Sequence, residues 1–334
     1  MQRPEAVRDL AVKQVGRSLE ISFTAPKLGV DGESLTKPLE IEIVGRVLPP
    51  GTPAVPSHVA DSSGETAAAP VVTLRSEDLA RLAVAGKIEY RDGLSAGDFN
   101  RSVGARFAFQ VGGLTRGFRG RPIEGDLSNG AALTLLDVPK PVTGLSIEPG
   151  QSALRLRWSP PAETITGRPA GFITNYRVYR SETGKPGSYR LLGVAHEATY
   201  DDSNFEFGRL YSYKVRALAA EGAQTAESED SAAVEIVPRD TFPPAVPAGL
   251  TGLYTSGAIE LIWSPNLEPD LAGYNVYRRE EGAGQVKLNP ELLHSPVYRD
   301  AAVTPGHRYA YRVTAVDRSG NESPPSAEAE VEAP

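Results

Sequence analysis

Three short segments, each an alternation of large apolar and smaller or polar residues, decide the fold. Residues 211–217 read YSYKVRA, residues 309–315 read YAYRVTA, and residues 107–111 read FAFQV. Apolar side chains at every second position lie on one side of a β-strand. The recurrence of this strand predicts three copies of one β-domain. The side chains predicted to face outward are Lys214, Arg216, Arg312 and Thr314.

Each copy also has an earlier strand that ends at an aromatic residue and is followed by proline. Residues 154–160 read LRLRWSP, 259–265 read IELIWSP, and 19–26 read LEISFTAP. A third strand follows as YRVYR at 176–180 and YNVYR at 274–278. Proline cannot donate a hydrogen bond to a sheet, so it marks the end of a strand. Short alternating strands separated by turns predict an antiparallel β-sandwich.

The composition supports a folded protein with many turns. The 334 residues include 33 glycines and 28 prolines, and 40% of the chain is hydrophobic. A chain with this apolar fraction can bury cores without disulfides, and it contains no cysteine. The net charge is −7, and no third of the chain is basic. Because binding to nucleic acid needs a basic face, the sequence predicts no nucleic-acid partner.

The order of these strands resembles strands B, C and F of the fibronectin type III family. The resemblance implies an all-β chain of three tandem fibronectin type III (immunoglobulin-like) β-sandwiches. It also implies a set of core residues: Phe23, Trp158, Trp263, Tyr211 and Tyr309. The two tyrosines match the tyrosine corner of the family, in which the hydroxyl hydrogen-bonds to the nearby backbone. Phe107 lacks this hydroxyl, so the bond is expected to be missing from the first copy.

Proline-rich junctions predict the domain boundaries, and the spacing between equivalent strands predicts where the first domain has an insertion. The expected domains are 1–138, 139–240 and 241–334, joined by short, semi-rigid linkers. The first domain is divergent because it has extra residues between strands B and F. Since Ile41 and Ile43 keep the spacing of strand C, the insertion is expected after that strand, at about residues 45–87.

The insertion is predicted to contain a loop and a short helix. Pro49 to Pro70 is rich in proline, alanine, serine and glycine, which is typical of a mobile loop. Residues 76–82 suit a helix with Ser76 at the N-cap and acids in the first turn. Its apolar residues, which could cover an open end of the sandwich, are Leu79, Leu82 and Ala83. The segment either closes the fold as a crossover or docks a partner.

No pattern in the chain predicts catalysis, a cofactor or a metal. The four histidines, His58, His196, His294 and His307, lack metal-ligand spacing. Acids recur at Asp201, Asp202 and Asp300, where they are more simply turn formers at strand ends. Residues 317–323 predict a hairpin with positive φ at Gly320, and a calcium loop would need more carboxylates.

The hairpin at residues 114–122, LTRGFRGRP, is the candidate contact site of the first domain. Arginine and aromatic residues dominate interface hot spots, and loops of sandwiches commonly carry binding. The residues expected to contact a partner are Arg116, Phe118, Arg119 and Arg121. The alternative is a solvated turn with no partner.

The junction DTFPPAVP at 240–247 and the hairpin SGNES at 319–323 resemble bacterial members of the family. This resemblance implies a non-enzymatic structural or protein-binding spacer of the bacterial cell envelope or surface, as in exported lipoproteins. The expected partner is a protein, the expected location is extracytoplasmic, and membrane attachment is expected only through a lipid anchor outside this sequence. One alternative is a carbohydrate-binding or enzyme-accessory module, for which the candidate aromatics are Tyr179, Tyr189, Tyr254 and Tyr277. Another is an enzyme with a pocket beneath Pro49 to Ala85.

Overall fold

The computed structural model describes residues 2–48, 69–171 and 173–334. The predicted fold class is confirmed: the chain is an all-β protein of tandem β-sandwiches, the first of which is divergent. Contacts group Met1–Val237 into one compact unit and Pro238–Pro334 into a second. Four buried apolar clusters lie in the described residues of these units: a large one in each sandwich, and a small one of Leu136, Val138 and Ala226 in the first unit. The three domain boundaries drawn from the sequence stay a prediction.

The described residues of the first sandwich form nine strands and two short helices. Its elements are β1 (Ala11–Val15), β2 (Ser18–Phe23), β3 (Glu40–Leu48), β4 (Ala69–Leu74), α1 (Ser76–Leu82), β5 (Ala83–Val84), β6 (Lys87–Gly93), α2 (Ala96–Ser102), β7 (Arg106–Arg116), β8 (Pro122–Leu127) and β9 (Ala131–Thr134). A 3₁₀ turn at Phe118–Gly120 joins β7 to β8. One sheet runs β4-β3-β7-β8, with β9 also on β7, and β1, β2, β6 and β5 lie in the other.

The second and third sandwiches repeat a simpler pattern. The second consists of β10 (Thr143–Pro149), β11 (Leu154–Ser159), β12 (Ile173–Ser181), β13 (Arg190–Ala195), β14 (Thr199–Asp202), β15 (Tyr211–Glu221), β16 (Gln224–Glu227) and β17 (Val234–Ile236). The third consists of β18 (Thr251–Thr255), β19 (Ala258–Ile262), β20 (Leu271–Glu280), β21 (Gln285–Lys287), β22 (Val297–Asp300), β23 (Arg308–Asp317) and β24 (Ala329–Glu332). In each, a three-stranded sheet faces a larger one.

The aromatic residues of the repeated strands fill the cores. Phe23 lies in the first cluster, Trp158 and Tyr211 in the second, and Trp263 and Tyr309 in the third; all are buried. The two tryptophan rings meet a core tyrosine edge-on, at 5.2 Å between ring centroids in both sandwiches. Edge-to-face contacts suit the charge distribution of aromatic rings.

The tyrosine corner forms in the second and third sandwiches. The Tyr211 hydroxyl oxygen accepts a hydrogen bond from the Glu206 backbone N–H at 2.9 Å, and Tyr309 accepts one from Thr304 at 2.9 Å. Phe107 occupies the corresponding place in the first sandwich and carries no hydroxyl. The bond predicted to be missing there is therefore chemically impossible.

The insertion differs from its prediction at the start and end of the helix. Residues 49–68 of the expected mobile loop lie outside the described residues. The N-cap of α1 is Arg75 rather than Ser76, whose hydroxyl instead donates to the Leu39 carbonyl. Leu79 and Leu82 pack on the first core, whereas Ala83 is exposed in β5. None of the helices in the described parts of the chain is long and apolar enough to cross a membrane.

The side chains predicted to face outward are more covered than expected. Thr314 is only 5% exposed, and its hydroxyl donates to Glu322. Arg216 is largely buried, because the carboxylates of Glu227 and Asp230 bind its guanidinium. Alternation correctly placed these residues on the outer face, but the acids that cover them come from separate segments of the chain.

Candidate functional site

The tip of the β7–β8 hairpin is held in place by hydrogen bonds at its base. The Arg116 guanidinium donates to both carboxylate oxygens of Glu40, at 3.2 and 2.8 Å. The hydrogen bond from Arg116 holds the pKa of Glu40 below its usual range. Lys37 donates to the Arg116 carbonyl at 3.0 Å, and Gly117 N–H donates to the Arg121 carbonyl at 2.7 Å. The base of the hairpin is thus fixed by hydrogen bonds within the chain.

Phe118 and Arg119 project from this fixed base. Phe118 is 79% exposed, and it is the one aromatic residue in the exposed class within residues 2–48, 69–171 and 173–334. The Arg119 guanidinium carbon lies 5.3 Å from the centre of the Phe118 ring. Arg119 has φ 57°, a left-handed conformation that costs energy in a residue with a Cβ. The backbone therefore holds this exposed pair at an energetic cost.

The three hairpin arginines differ in what they already bind. Among the described residues, Arg116 has a carboxylate partner, whereas Arg119 and Arg121 have no ion pair. Guanidinium groups bind carboxylates through paired hydrogen bonds, as Arg116 does with Glu40. The structure places the four predicted contact residues together at one tip, two of them as free guanidinium groups beside an exposed ring.

A second polar group recurs inside the second and third sandwiches. Asp202 accepts hydrogen bonds from Arg180 at 2.9 Å and from the Tyr213 hydroxyl at 2.7 Å. Burial and the hydrogen bond to Asp202 raise the pKa of Tyr213. The Arg180 guanidinium also lies 5.1 Å from the centre of the Tyr211 ring. Because these groups are largely buried, hydrogen bonds within the protein replace those that water would make.

The third sandwich repeats this triad with the same geometry. Asp300 accepts from Arg278 at 2.8 Å and from Tyr311 at 2.8 Å. Its second carboxylate oxygen accepts the Ala302 N–H at 3.0 Å, as a turn former does. The turn-forming role expected of these acids is present, and the buried triad is an additional role that the sequence did not indicate.

The first two sandwiches are joined through backbone and side-chain hydrogen bonds. Strand β1 pairs in parallel with β16 at Val15 and Glu227, which makes one nine-stranded sheet across both sandwiches. Within the first sandwich, the Gln14 side-chain amide donates to the Leu136 carbonyl at 2.7 Å and accepts the Leu136 N–H at 2.8 Å, which holds the segment that leads into the second sandwich. Gln224 similarly accepts the Thr134 N–H at 2.7 Å and donates to its carbonyl.

A buried ion network lies beside this junction. Glu227 is 3% exposed and accepts from Arg177, Arg216 and Tyr179. Burial opposes the ionisation of Glu227, but hydrogen bonds from Arg216 and Tyr179 hold its pKa below the usual range. Burial and the nearby Glu227 charge raise the pKa of Tyr179 to about 12. The network thus holds in place Glu227, the residue of β16 that pairs with Val15 of β1.

An open cleft of about 950 Å³ lies where these sandwiches meet. Its polar lining includes Asp137 and Arg168. Burial opposes the ionisation of Asp137, but hydrogen bonds from Thr166 and Thr164 hold its pKa below the usual value. Arg168 donates to the same carboxylate at 3.0 Å. Asp137 and Arg168 therefore bind each other, whereas ligand sites typically offer polar groups that converge on the open space.

Three carboxylates approach one another in the third sandwich. One oxygen each from Asp240, Asp270 and Asp317 lies within 4.8 Å of the others. Such oxygens are suitable ligands for a hard cation. Ser319 donates to Asp240 at 3.0 Å, and the Asn321 side chain donates to Asp317 at 2.8 Å. Neutral donors therefore already bind two of the three carboxylates, and Gly320 of this hairpin has φ 87°.

The tyrosines considered for carbohydrate binding do not form an exposed row. Tyr179 binds Glu227 at 2.8 Å, and Tyr277 binds Glu322 at 2.7 Å. Tyr189 lies against Lys214, whose Nζ is 4.3 Å from the centre of its ring. Tyr254 packs on the third core. All four are half-buried.

The remaining candidates for chemistry are dispersed. His196 and His294 are exposed on different sandwiches, and His307 contacts Glu280. His58 and most of the segment from Pro49 to Ala85 proposed to cover a pocket lie outside the described residues.

The resemblance predicted from the repeated strands is confirmed by comparison with known proteins. Residues 140–234 match the model of the fibronectin type III domain, which is a non-catalytic module. The second sandwich is thus a fibronectin type III domain, and the chain is built from tandem sandwiches of this kind.

Two bacterial proteins are similar to part of the chain. Exoglucanase B of Cellulomonas fimi is 32% identical over 159 residues, 46% of this chain and 13% of that protein. Amylopullulanase of Thermoanaerobacterium saccharolyticum is 32% identical over 85 residues, 25% of this chain and 6% of that protein. The chain therefore spans only a small part of the length of these relatives.

Solved fibronectin structures are also similar. An Fn3-like protein from Clostridium thermocellum is 32% identical over 28% of this chain and 96% of its own, with a TM-score of 0.25. Chicken CNTN1 domains FN1–FN3 are 14% identical over 98% of both chains, with a TM-score of 0.28.

Proposed function

We propose that the chain is a non-catalytic spacer and protein-binding module of the bacterial cell envelope or surface. The observation that carries the proposal is the junction between the first two sandwiches, where a shared sheet and the Gln224 amide cross from one sandwich to the other, and the Gln14 amide holds the segment that leads into the junction. A spacer needs such stiffness, since a flexible linker fixes no distance. Similarity to parts of Exoglucanase B and Amylopullulanase supports an accessory role.

The stiffness of the junction can be measured with two spin labels. Labels at Glu89 and Leu191, both exposed, would report the distance between the two sandwiches. We expect a narrow distance distribution that broadens when Gln14 and Gln224 are both changed to alanine. Gln285→Ala, an exposed amide in the third sandwich, is the matched control. A broad distribution in the unmodified chain would rule out a rigid spacer.

The proposal places partner binding at the β7–β8 hairpin. Its Arg119 and Arg121 guanidinium groups form no ion pair with the described residues, and with the exposed Phe118 they are suited to a protein surface that offers carboxylates around an apolar depression. Affinity capture from envelope extracts, read by mass spectrometry, would compare the chain with a variant in which these three residues are alanine. Arg318→Ala in the third sandwich is the control, because it changes an exposed hairpin arginine elsewhere.

Two outcomes of this capture bear on the hairpin. A partner lost with the triple variant and kept with Arg318→Ala supports the hairpin as the contact. A partner kept with both variants moves the contact to another face. Fractionation of the source cells tests the proposed extracytoplasmic location, since recovery only with cytoplasmic markers would contradict it.

A second candidate is an accessory module beside a carbohydrate-active enzyme. The names of the two bacterial relatives favour it, whereas the half-buried tyrosines disfavour a direct sugar-binding face. Affinity electrophoresis in gels containing soluble cellulose derivatives or starch distinguishes the candidates. Retarded migration would favour carbohydrate binding, and unchanged migration would leave the protein-binding spacer.

A further inference from the structure

The three-stranded sheet of the third sandwich (β18, β19 and β22), here called its small sheet, has an unusually apolar outer face. Leu253 is 69% exposed, Ile262 56% and Val297 52%. Ile262 pairs directly with Val297 across β19 and β22, and Leu253 pairs with Glu260 across β18 and β19. Residues paired in this way, or one row apart, are neighbours on one face. The three aliphatic side chains therefore form one exposed group rather than isolated residues.

The other two sandwiches show that the fold does not require apolar residues here. The strand pairs β1–β2, β10–β11 and β18–β19 can be aligned residue by residue. In this alignment the buried residues Leu19, Leu154 and Ile259 occupy equivalent positions. In the second sandwich the three equivalent positions are Glu148, Arg157 and Thr199. In the first they are Lys13, Ser22 and Glu89. The same sheet is thus polar twice and apolar once, which indicates that the third face is used for contact.

The charges on this face indicate its partner. Glu260 and Arg299 form an ion pair in the row beside Ile262 and Val297. When a two-fold axis runs between Glu260 and Arg299, the acid of one copy lies opposite the base of the other copy. Isologous interfaces use such self-complementary surfaces. We propose that this face, defined by Leu253, Glu260, Ile262, Val297 and Arg299, binds the same face of a second copy of the chain.

The size of the face sets the strength of the contact. Stable interfaces bury about 800 Å² on each partner, far more than three partly exposed aliphatic side chains supply. The dimer is accordingly weak and reversible, with a dissociation constant on the order of 10⁻⁴ M. Tethering or crowding at a surface raises the effective concentration enough to populate such a dimer.

Sedimentation equilibrium of the full chain from about 10 µM to about 1 mM tests the proposal. The average mass should rise from one chain toward two. A triple variant, Leu253→Glu with Ile262→Arg and Val297→Thr, gives the face the residues of the second sandwich. It should dissociate at least about tenfold more readily. Val286→Thr, at an exposed valine of the other sheet, is the control and should leave association unchanged.

A charge exchange tests the self-complementarity separately and does not depend on the triple variant folding. Glu260→Arg leaves two bases on each face and should weaken association, and adding Arg299→Glu should restore it. Circular dichroism checks that each variant is folded. A chain that keeps the mass of one copy up to about 1 mM overturns the proposal. Equal association by the unmodified chain and the folded triple variant overturns it too.

Discussion

Asp202 of the second sandwich and Asp92 of the first stand at the same place in their sheets, each paired with the first buried leucine of strand B. Asp202 is bound by Arg180 and Tyr213. In the first sandwich the positions of those two partners are held by Gly45 and Phe109, according to the pairing of strands β3 and β7.

The lack of these two partners affects the pKa of Asp92. Burial raises the pKa of Asp92. The backbone arrangement therefore forms with or without the triad, so the triad is not what specifies the fold. It is a repeated stabilising group that the divergent first sandwich lacks, and its contribution can be measured by removing it.

The largest expected effect comes from removing the acid that is bound. Asp202→Ala leaves the Arg180 guanidinium and the Tyr213 hydroxyl buried without their partner, which should lower the free energy of unfolding by about 3–5 kcal/mol. Urea unfolding followed by Trp158 fluorescence, in a Trp263→Phe background, isolates the second sandwich. Asp92→Ala is the matched variant in the first sandwich. A loss below about 1 kcal/mol for Asp202→Ala would mean that the triad contributes little.

A smaller effect is expected when Tyr213 of the second sandwich is changed to phenylalanine, the residue at the equivalent position 109 of the first sandwich. Tyr213→Phe removes one hydrogen bond to a buried carboxylate and should cost about 1.5–3 kcal/mol. The same fluorescence assay measures it. If the loss equals that of Asp202→Ala, the hydroxyl rather than the guanidinium is the main partner of the acid.

The tyrosine corner should contribute less than the triad. Tyr309→Phe copies Phe107 of the first sandwich and removes the hydrogen bond from the Thr304 N–H. A bond between neutral groups is worth about 1 kcal/mol. Unfolding of the third sandwich, followed by Trp263 fluorescence in a Trp158→Phe background, gives the value. An unchanged midpoint would show that water replaces the hydroxyl.

The smallest effect is expected at Asp92 and depends on pH. Its pKa is raised in the folded chain, so the folded state binds the proton more tightly than the unfolded state. Stability is then lost as the pH rises through the folded pKa. Asp92→Asn should stabilise strands β2 and β6 by less than about 1 kcal/mol at neutral pH and not at all below about pH 3.5. Amide hydrogen exchange of these strands is the measurement, and a destabilised variant at neutral pH would contradict it.

Most of the fold could be predicted from the repeated strand patterns in the sequence. Alternation at residues 211–217 and 309–315 placed Tyr211 and Tyr309 inside, and both form the expected hydrogen bond. Position within the repeat also identified the hairpin at 114–122. These features are local, because a strand pattern and a turn each depend on neighbouring residues.

The features that the sequence did not reveal are side-chain and strand contacts between different elements. Glu227 covers Arg216 and also pairs with Val15, and neither contact follows from alternation. The triad could have been suspected, since arginine follows the YNVY and YRVY patterns, and an aspartate lies two residues after a later tyrosine, Tyr200 or Tyr298, in both repeats. The apolar face of the third sandwich became visible only when strand pairing aligned all three sheets.

The shared sheet between β1 and β16 also has a consequence for synthesis. Strand β1 leaves the ribosome before its partner Glu227, which follows about two hundred residues later. At typical rates of elongation the outer edge of β1 waits roughly ten to forty seconds for β16. During that time the nascent chain presents an open strand edge, which other chains can pair with. Slow stretches of translation after residue 227 would give this edge time to close.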